Sequence, residues 1–482
     1  MRCTRIISAV ILLTLTGCEV GPNYSKPKTA VPASFPAATR PAPATQPAIT
    51  TTWWKTFNDP ELNSLITRAV QSNLDIKLAA ARLRESRFRQ AYAAGGNYPT
   101  VNADAGYSHQ RMSGNAEPFA AVGGTGFNFP FEYDLYQVGF DASWEIDVFG
   151  GTRRSLEAAA ADVAASIENG RDMLLTVMAE VARNYVELRG IQKELAVAHE
   201  NLYVQRQTVD VTKNLQQQGV STQLDVSRAV AQAATTESQI PLLENMQWQT
   251  IHRLAVLLGY DPDALSKELI PVKQIPIPTT AIDVGVPADL LRRRPDIRRA
   301  ERELAAATAR IGESEADLFP KLSLVGSLGL QSSQANTLGN WSSRYFNIGP
   351  SVSWPIFDAG RLRAALHVRT AEQEQVLVQY QQTVLNALRE VEDAMIALQT
   401  ERQRTHSLDE SERANAQSAQ LADNLYRRGL TDFLTVLDAQ RQLYESQDAL
   451  ARSQQTVTTD AIALYKALGG GWEDKDEQNV LH

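Results

Sequence analysis

The chain has 482 residues, of which 43% are hydrophobic and 21% charged, and it carries a net charge of −8. That length holds two or three ordinary domains or one elongated one. The acidic balance argues against a nucleic-acid partner, which a basic patch or stripe would mark.

At the N-terminus Arg2 and Arg5 precede the apolar run IISAVILLTL, and TGC follows. Basic, then apolar, then small is the order of a secretory signal, here 1–17. The run is about ten residues long, too short to span ~30 Å of hydrocarbon. Leu15-Thr16-Gly17-Cys18 resembles a bacterial lipobox, which makes Cys18 an acylated first residue carrying chains such as palmitate. Glu19, in place of Asp, favours retention in the outer membrane. The alternative is a secreted protein with a chance cysteine. The only cysteines are Cys3 and Cys18, so the mature chain has none left for a bridge. Losing Arg2 and Arg5 takes the net charge from −8 to −10.

Residues 18–52 read as a lipidated tether. Seven of the 21 prolines lie between Pro22 and Pro47, mixed with Ala and Thr. Such a composition favours extended chain over a core. No later stretch holds 18 consecutive apolar residues, so a membrane crossing requires a closed β-barrel.

The rest is written twice. LDIKLAAARLRESRFRQAYAAGGNYP from Leu74 aligns without a gap on PDIRRAERELAAATARIGESEADLFP from Pro295, a shift of 221. VGFDASW ending at Trp144 aligns on IGPSVSW ending at Trp354, a shift of 210. NLQQQGVSTQLDV from Asn214 aligns on NLYRRGLTDFLTV from Asn424, again shifted by 210. The expected division is a first repeat at 53–260, a connector at 261–286, a second repeat at 287–470 and a tail at 471–482. Each repeat should run helix, strand, loop, strand, long helix, turn, long helix: an α+β chain.

The long helices show in two ways. No proline occurs between Pro130 and Pro241 or after Pro355. Leu174, Val181, Leu188, Leu195, Leu202 and Val209 recur every seven residues, as do Leu377, Val384, Val391 and Leu398, with Leu388 and Met395 on a second register. A sustained sevenfold repeat is the seam of helices packed side by side. At 1.5 Å per residue, the segment from Arg361 to Arg427 would span roughly 100 Å. Gly170, Gly190 and Pro241 read as weak points, Pro241 as a kink.

Four stretches alternate instead. Val101, Ala103, Ala105 and Tyr107 share one face. Tyr136, Val138, Phe140, Ala142, Trp144 and Ile146 share another, against Gln137, Gly139, Asp141, Ser143 and Glu145. Leu322, Leu324, Leu328 and Leu330 alternate with Ser323, Ser327 and Gln331, and Phe346, Ile348, Val352 and Trp354 with Asn347, Ser351 and Ser353. Each is about ten residues, the length of a tilted membrane strand. Four strands do not close a pore, since the smallest such barrels have about eight, so the chain should oligomerise.

Three motifs, CEVGPNY after the lipobox, GVPADLLRRRPDIRRAERELAAA from Gly285 and SWPIFDAGRLRAAL from Ser353, resemble the TolC-like outer-membrane efflux proteins. The resemblance covers essentially all of the mature chain and is nearest the lipoprotein branch, the OprM and NodT-type outer-membrane factors. It implies a homotrimer with one twelve-stranded β-barrel, four strands per chain, in the outer membrane. A long α-helical barrel continues it into the periplasm, with an equatorial belt that includes the segment around 261–290 and the C-terminal end. It implies passive conduction of drugs or other small molecules, delivered by an inner-membrane RND-type pump through a periplasmic membrane-fusion adaptor. Outer-membrane lipid is the remaining partner; no cofactor, metal or nucleic acid is implied.

Gly219 and Gly429 suit the left-handed position that ends a helix. Ser221 or Thr222, and Thr431 or Asp432, suit the cap of the next. The resemblance makes these tips the adaptor-facing end, with Gly219, Val220, Gly429 and Leu430 as contact residues. It maps the family's constriction onto FLTVLDAQR. Leu434 and Asp438 are four apart and share a helix face. Three copies would stack an apolar ring and an acidic ring, and an acidic ring attracts cations. Apposed carboxylates raise one another's pKa, so protonation would act on such a gate. Thr435 stands where TolC itself has a second acid, which leaves one ring. Tyr426 matches a family residue that holds the closed state. The plainer alternative is a surface ion pair of Asp438 with Arg441, three residues on. The first repeat has Arg228 where the second has Asp438.

Enzyme signatures are missing. The six histidines form no HExxH, and there is no GxSxG, P-loop or CxxC. GGTGFNF from Gly123 lacks the dinucleotide spacing and reads as an extracellular loop. Arg292–Arg294, Arg298 and Arg299 open a predicted helix and suit salt bridges between helices better than an anion site. Trp53 and Trp54 suit packing. The competing readings are a type I protein-secretion duct and a lipid-anchored periplasmic coiled-coil spacer; the spacer leaves the four alternating strands without a purpose.

Overall fold

A computed structural model describes residues 19–29, 31–36, 52–113, 132–278, 282 and 287–472. Cys18, the signal and the glycine-rich loop from Gly123 lie outside the described residues. Helices α1 (Pro60–Ser72) and α2 (Leu74–Gly95) lead to strands β1 (Thr100–Arg111) and β2 (Glu132–Ile146). Helices α3 (Gly151–Gln217) and α4 (Gln223–Leu257) follow, then the single turn α5 (Ser266–Leu269) and α6 (Pro287–Arg293). The second half brings α7 (Pro295–Ala316), β3 (Lys321–Ser332), β4 (Arg344–Ser353), α8 (Arg361–Arg427) and α9 (Phe433–Ala467). The duplication is carried to the residue: α2 and α7 have 22 residues each, α3 and α8 67, α4 and α9 35. No helix among the described residues is long and apolar enough to cross a membrane.

The chain forms two compact units. The first gathers 1–27, 85–164 and 302–378. Among the described residues it holds one antiparallel sheet in the order β1-β2-β3-β4. The register sorts the alternation across all four strands. Val101, Ala142 and Val325's neighbour Leu324 fall on the apolar face, and the cross-strand rows Ala103–Phe140–Leu328–Phe346 and Ala105–Val138–Leu330 run along it. The row Asn102–Asp141–Ser327–Asn347 lies on the opposite face. The apolar face is uncovered: Val101, Phe140, Leu328, Phe346 and Ile348 are all more than half exposed. Strand β2 is 15 residues long, beyond the ten that alternation marks. Its first residues, Glu132–Leu135, pair through polar contacts such as Arg111 with Glu132 at 2.7 Å and Tyr133 with Gln110 at 2.9 Å. Such contacts leave no hydrophobic period to read.

The second unit gathers 28–84, 165–301 and 379–482. Its core is the sevenfold seam. Leu174, Val181, Leu188, Leu195, Leu202 and Val209 are all buried, as are Val384, Val391 and Leu398. Trp53 is fully buried and stacks on Tyr465 at 5.3 Å. None of the three expected weak points ends its helix. Helix α4 runs through Pro241, and α3 runs through Gly190. A Cβ on Gly190 would fall 1.9 Å from the Gln455 carboxamide, so that glycine admits a neighbouring side chain. The arginine cluster ties helices together. Arg294 meets Asp296 at 2.7 Å, Glu390 at 2.8 Å and the Ala467 carbonyl at 2.9 Å. Arg298 pairs with Glu168 at 2.8 Å and, with Arg171, lies over the Trp472 ring. Phe35, within the proline-rich segment, is buried against Ile297, Tyr380 and Val384.

Arg189 is fully buried. It donates to Gln192 at 2.7 Å, to the Pro271 carbonyl at 2.9 Å and to Glu61 at 3.1 Å, and lies over Tyr185. Breaking a buried charge pair costs roughly 3–5 kcal/mol when the remaining charge is left without a partner; here Lys273 also pairs with Glu61, so the larger loss is the buried bonds Arg189 makes to Gln192 and the Pro271 carbonyl. Arg189→Ala should therefore lower the thermal midpoint markedly, while Arg206→Ala, whose ion pair with Glu237 is exposed on both sides, should leave it nearly unchanged. Equal shifts for the two variants would contradict the assignment.

Candidate functional site

The site is built from two helix ends in the second unit. In α3 the Gly219 N–H donates to the Gln216 carbonyl at 3.0 Å and Val220 to Leu215 at 2.9 Å. In α8 Gly429 donates to Tyr426 at 2.8 Å and Leu430 to Leu425 at 2.9 Å. These paired bonds form a Schellman motif, which needs a left-handed residue. Gly219 and Gly429 supply it with φ of 76° and 72°. Val220 and Leu430 project at 66% and 69% exposure, two bare apolar side chains at the ends of the hairpins.

The next helices start on opposite versions of one bond. Thr222 caps α4: its hydroxyl accepts from the Asp225 N–H at 3.2 Å, and the Asp225 carboxylate accepts from the Thr222 N–H at 3.0 Å. Asp432 caps α9, accepting from the Thr435 N–H at 2.9 Å and the Thr435 hydroxyl at 2.6 Å. Threonine and aspartate have exchanged places. Both carboxylates sit below the usual range. Thr435's hydroxyl and N–H lower Asp432. For Asp225 burial acts upward, and the Thr222 and Ser221 donors with Arg228 outweigh it.

The two tips touch. The Tyr426 hydroxyl donates to Ser221 Oγ at 3.4 Å, and the Tyr426 ring packs on Phe433 at 5.6 Å between centroids. Tyr426, Phe433 and Val436 join Ala229 and Ala233 in one buried cluster. The sequence pointed to Tyr426 only through resemblance; its partner Ser221, 205 residues away, carries no local signal of the contact.

Phe433, Val436 and Gln440 form the buried side of α9. Leu434 and Asp438 fall on the other side, with Leu434 53% exposed. Asp438 pairs with Arg441 at 2.7 Å, both more than half exposed. An exposed pair of this kind contributes only about 0.3–0.5 kcal/mol, so it steadies the carboxylate without removing it from the surface. The equivalent face of α4 carries Leu224 and Arg228, both exposed. Leu434 and Asp438 therefore share an uncovered stripe, but within one chain neither meets a second copy of itself. Among the described residues no group of His, Cys, Asp or Glu is placed to hold a metal.

The family model for the outer membrane efflux protein matches residues 65–260 and 286–470. The pyoverdine export outer membrane protein OpmQ of Pseudomonas putida is 37% identical over 87% of this chain and 88% of its own. Nodulation protein T of Rhizobium leguminosarum bv. trifolii is 31% identical over 98% of both chains. The solved outer-membrane channel OprN superposes with a TM-score of 0.87 at 36% identity, covering 94% of this chain and all of its own.

The caps give a pH dependence. A carboxylate whose pKa is lowered by folding stabilises the fold above its unfolded pKa, about 3.9 for Asp, and loses that contribution as pH falls through the lowered value. Hydrogen exchange of 429–437, corrected for intrinsic rate, should be flat from about pH 7 to 5 and rise below about 4. Asp432→Asn should flatten the rise; a rise that survives the substitution would assign it elsewhere. Thr222→Ala should cost about 1 kcal/mol of local stability at the other tip, read as faster exchange at 219–226.

Proposed function

The chain belongs to the outer membrane efflux protein family, and from that premise we propose that three copies form the exit duct of a tripartite efflux system. The protein is an outer-membrane efflux channel. Strands β1–β4 of each copy contribute a third of a twelve-stranded wall, and the paired helical hairpins of the three copies form the periplasmic tunnel. A periplasmic adaptor meets the tips at Gly219, Val220, Gly429 and Leu430. An inner-membrane pump supplies the energy, and the duct conducts passively. The cargo is a small organic molecule, as the name of the pyoverdine-exporting relative suggests. Cys18 carries the lipid anchor.

The observation that carries this reading is the sheet. It is antiparallel and four-stranded, its apolar face is uncovered, and β1 and β4 are paired on one side only. Every other backbone donor in the membrane must find an acceptor, and the free edges are satisfied when β1 of one copy pairs with β4 of the next.

In this arrangement Leu434 and Asp438 line the narrow periplasmic end, held by Asp438 with Arg441, and Tyr426 ties the second hairpin to the first. Planar-bilayer recording of the purified protein should show single-channel current, and crosslinking should trap trimers. Asp438→Ala should weaken cation preference, read as a smaller reversal potential across a KCl gradient. An unchanged reversal potential and conductance would remove the acidic ring and leave the channel; absence of current and of trimers would remove the channel. Tyr426→Phe should raise the open fraction without altering selectivity, since it deletes only the hydroxyl that reaches Ser221.

A further inference from the structure

Arg154, in the first turn of α3, is 2% exposed. A buried guanidinium is tolerated only when its donors are used. One side-chain partner within its own helix is Glu157, at 2.7 Å. The others come from the first described residues of the chain. Nε donates to the Val20 carbonyl at 3.1 Å and faces Glu19 Oε1 at 3.3 Å. Nη2 donates to the Gly21 carbonyl at 3.2 Å and to Asn23 Oδ1 at 2.7 Å. The Val20 N–H in turn donates to the Phe149 carbonyl at 3.1 Å.

The seat is shaped for this segment. Gly21 has φ 90°, and a Cβ on it would fall 2.3 Å from Gly312 Cα. A Cβ on Gly312 would in turn strike Arg154 Nε at 2.8 Å. The floor is the end of the sheet: Phe149 stacks on Phe319 at 4.7 Å, just after β2 and just before β3. Proline-rich chain beyond the signal was expected to be a free tether, but Glu19–Asn23 occupies a built receptor in the first unit.

We infer that Arg154 is a positioning residue that docks Glu19–Asn23 at the base of the sheet and so fixes where an acyl anchor on Cys18 enters the outer membrane. The anchor half rests on the reading of Cys18 as acylated; the docking half does not. Glu19 is bonded to Cys18, so a clamp on Glu19 confines the anchor to within about 3.8 Å of it, Cα to Cα. The lipid then enters beside the strands instead of at the end of a long leash, and the Arg154 Nε and Nη2 donors that Glu157 does not use are taken up by the docked segment.

The test is hydrogen exchange on the full-length protein in outer-membrane vesicles, read on the peptide covering 19–24, together with metabolic labelling by an alkyne palmitate analogue. The wild-type peptide should be protected. Arg154→Gln should speed its exchange by about ten-fold or more, with 132–146 unchanged. Should Arg154→Gln fail to fold, Gly21→Ala gives the same readout from the segment's side with the arginine intact. Unchanged exchange in a folded variant of either kind would overturn the docking. Label absent from Cys18 with 19–24 still protected would overturn the anchor half and keep the docking. Label present with protection lost in both variants is the result expected.

Discussion

The structure depends on one constraint: a backbone N–H in hydrocarbon has no water to bind. A chain with four strands meets it internally at three strand interfaces and fails at two edges. In water the same sheet is equally untenable, because an exposed edge beside Phe346, Ile348 and Val352 is a template for aggregation. In the proposed trimer, barrel closure removes the edges; α3 starts five residues after β2 and α8 eight residues after β4.

Within that frame the duplication divides labour. Lengths are conserved between the halves, and so are the left-handed glycines at the helix ends, because these set geometry. On the uncovered stripes the leucine is kept, Leu224 matching Leu434, but the charge is not. Arg228 and Asp438 occupy equivalent places on α4 and α9, and the capping threonine and aspartate exchange positions. In the proposed trimer, an acid at that level on both hairpins would bring six like charges to face one another. With arginine in one half, the acidic stripe belongs to the second hairpin alone.

The fold was legible because its periods are long. Sevenfold spacing over Leu174–Val209 and twofold spacing over Tyr136–Ile146 each reinforce one answer, and the repeat supplies every element twice. What stayed hidden depends on contacts between distant residues. Gly190 reads as a helix breaker until Gln455 is seen to fill its space. The proline-rich N-terminal segment reads as leash until Arg154 and the cluster around Phe35 are seen to hold it. At the tips the cap residues were narrowed to two candidates each, since neighbouring hydroxyls and carboxylates offer the same acceptor; the bonds accepted from the Asp225 and Thr435 N–H groups select Thr222 and Asp432. Leu434 and Asp438 were placed on one face by spacing alone, while the packing of Tyr426 on Phe433 and its reach to Ser221 needed the tertiary structure.

The helices repeat the argument of the strands by a different force. A helix in a closed ring, as the proposed trimer would form, has a neighbour on each side and so needs two apolar seams. Helix α8 carries two apolar sets. Val384 and Val391 fill one within the chain, while Leu385 and Ile396 remain at 66% and 50% exposure. On α4, Ile240 and Leu243 are buried and Leu242 and Met246 are bare. A single copy therefore has unfilled seams, just as its sheet has unpaired edges. In the proposed trimer, hydrogen bonds would close the wall and apolar burial the tunnel, and neither closure is available to one chain.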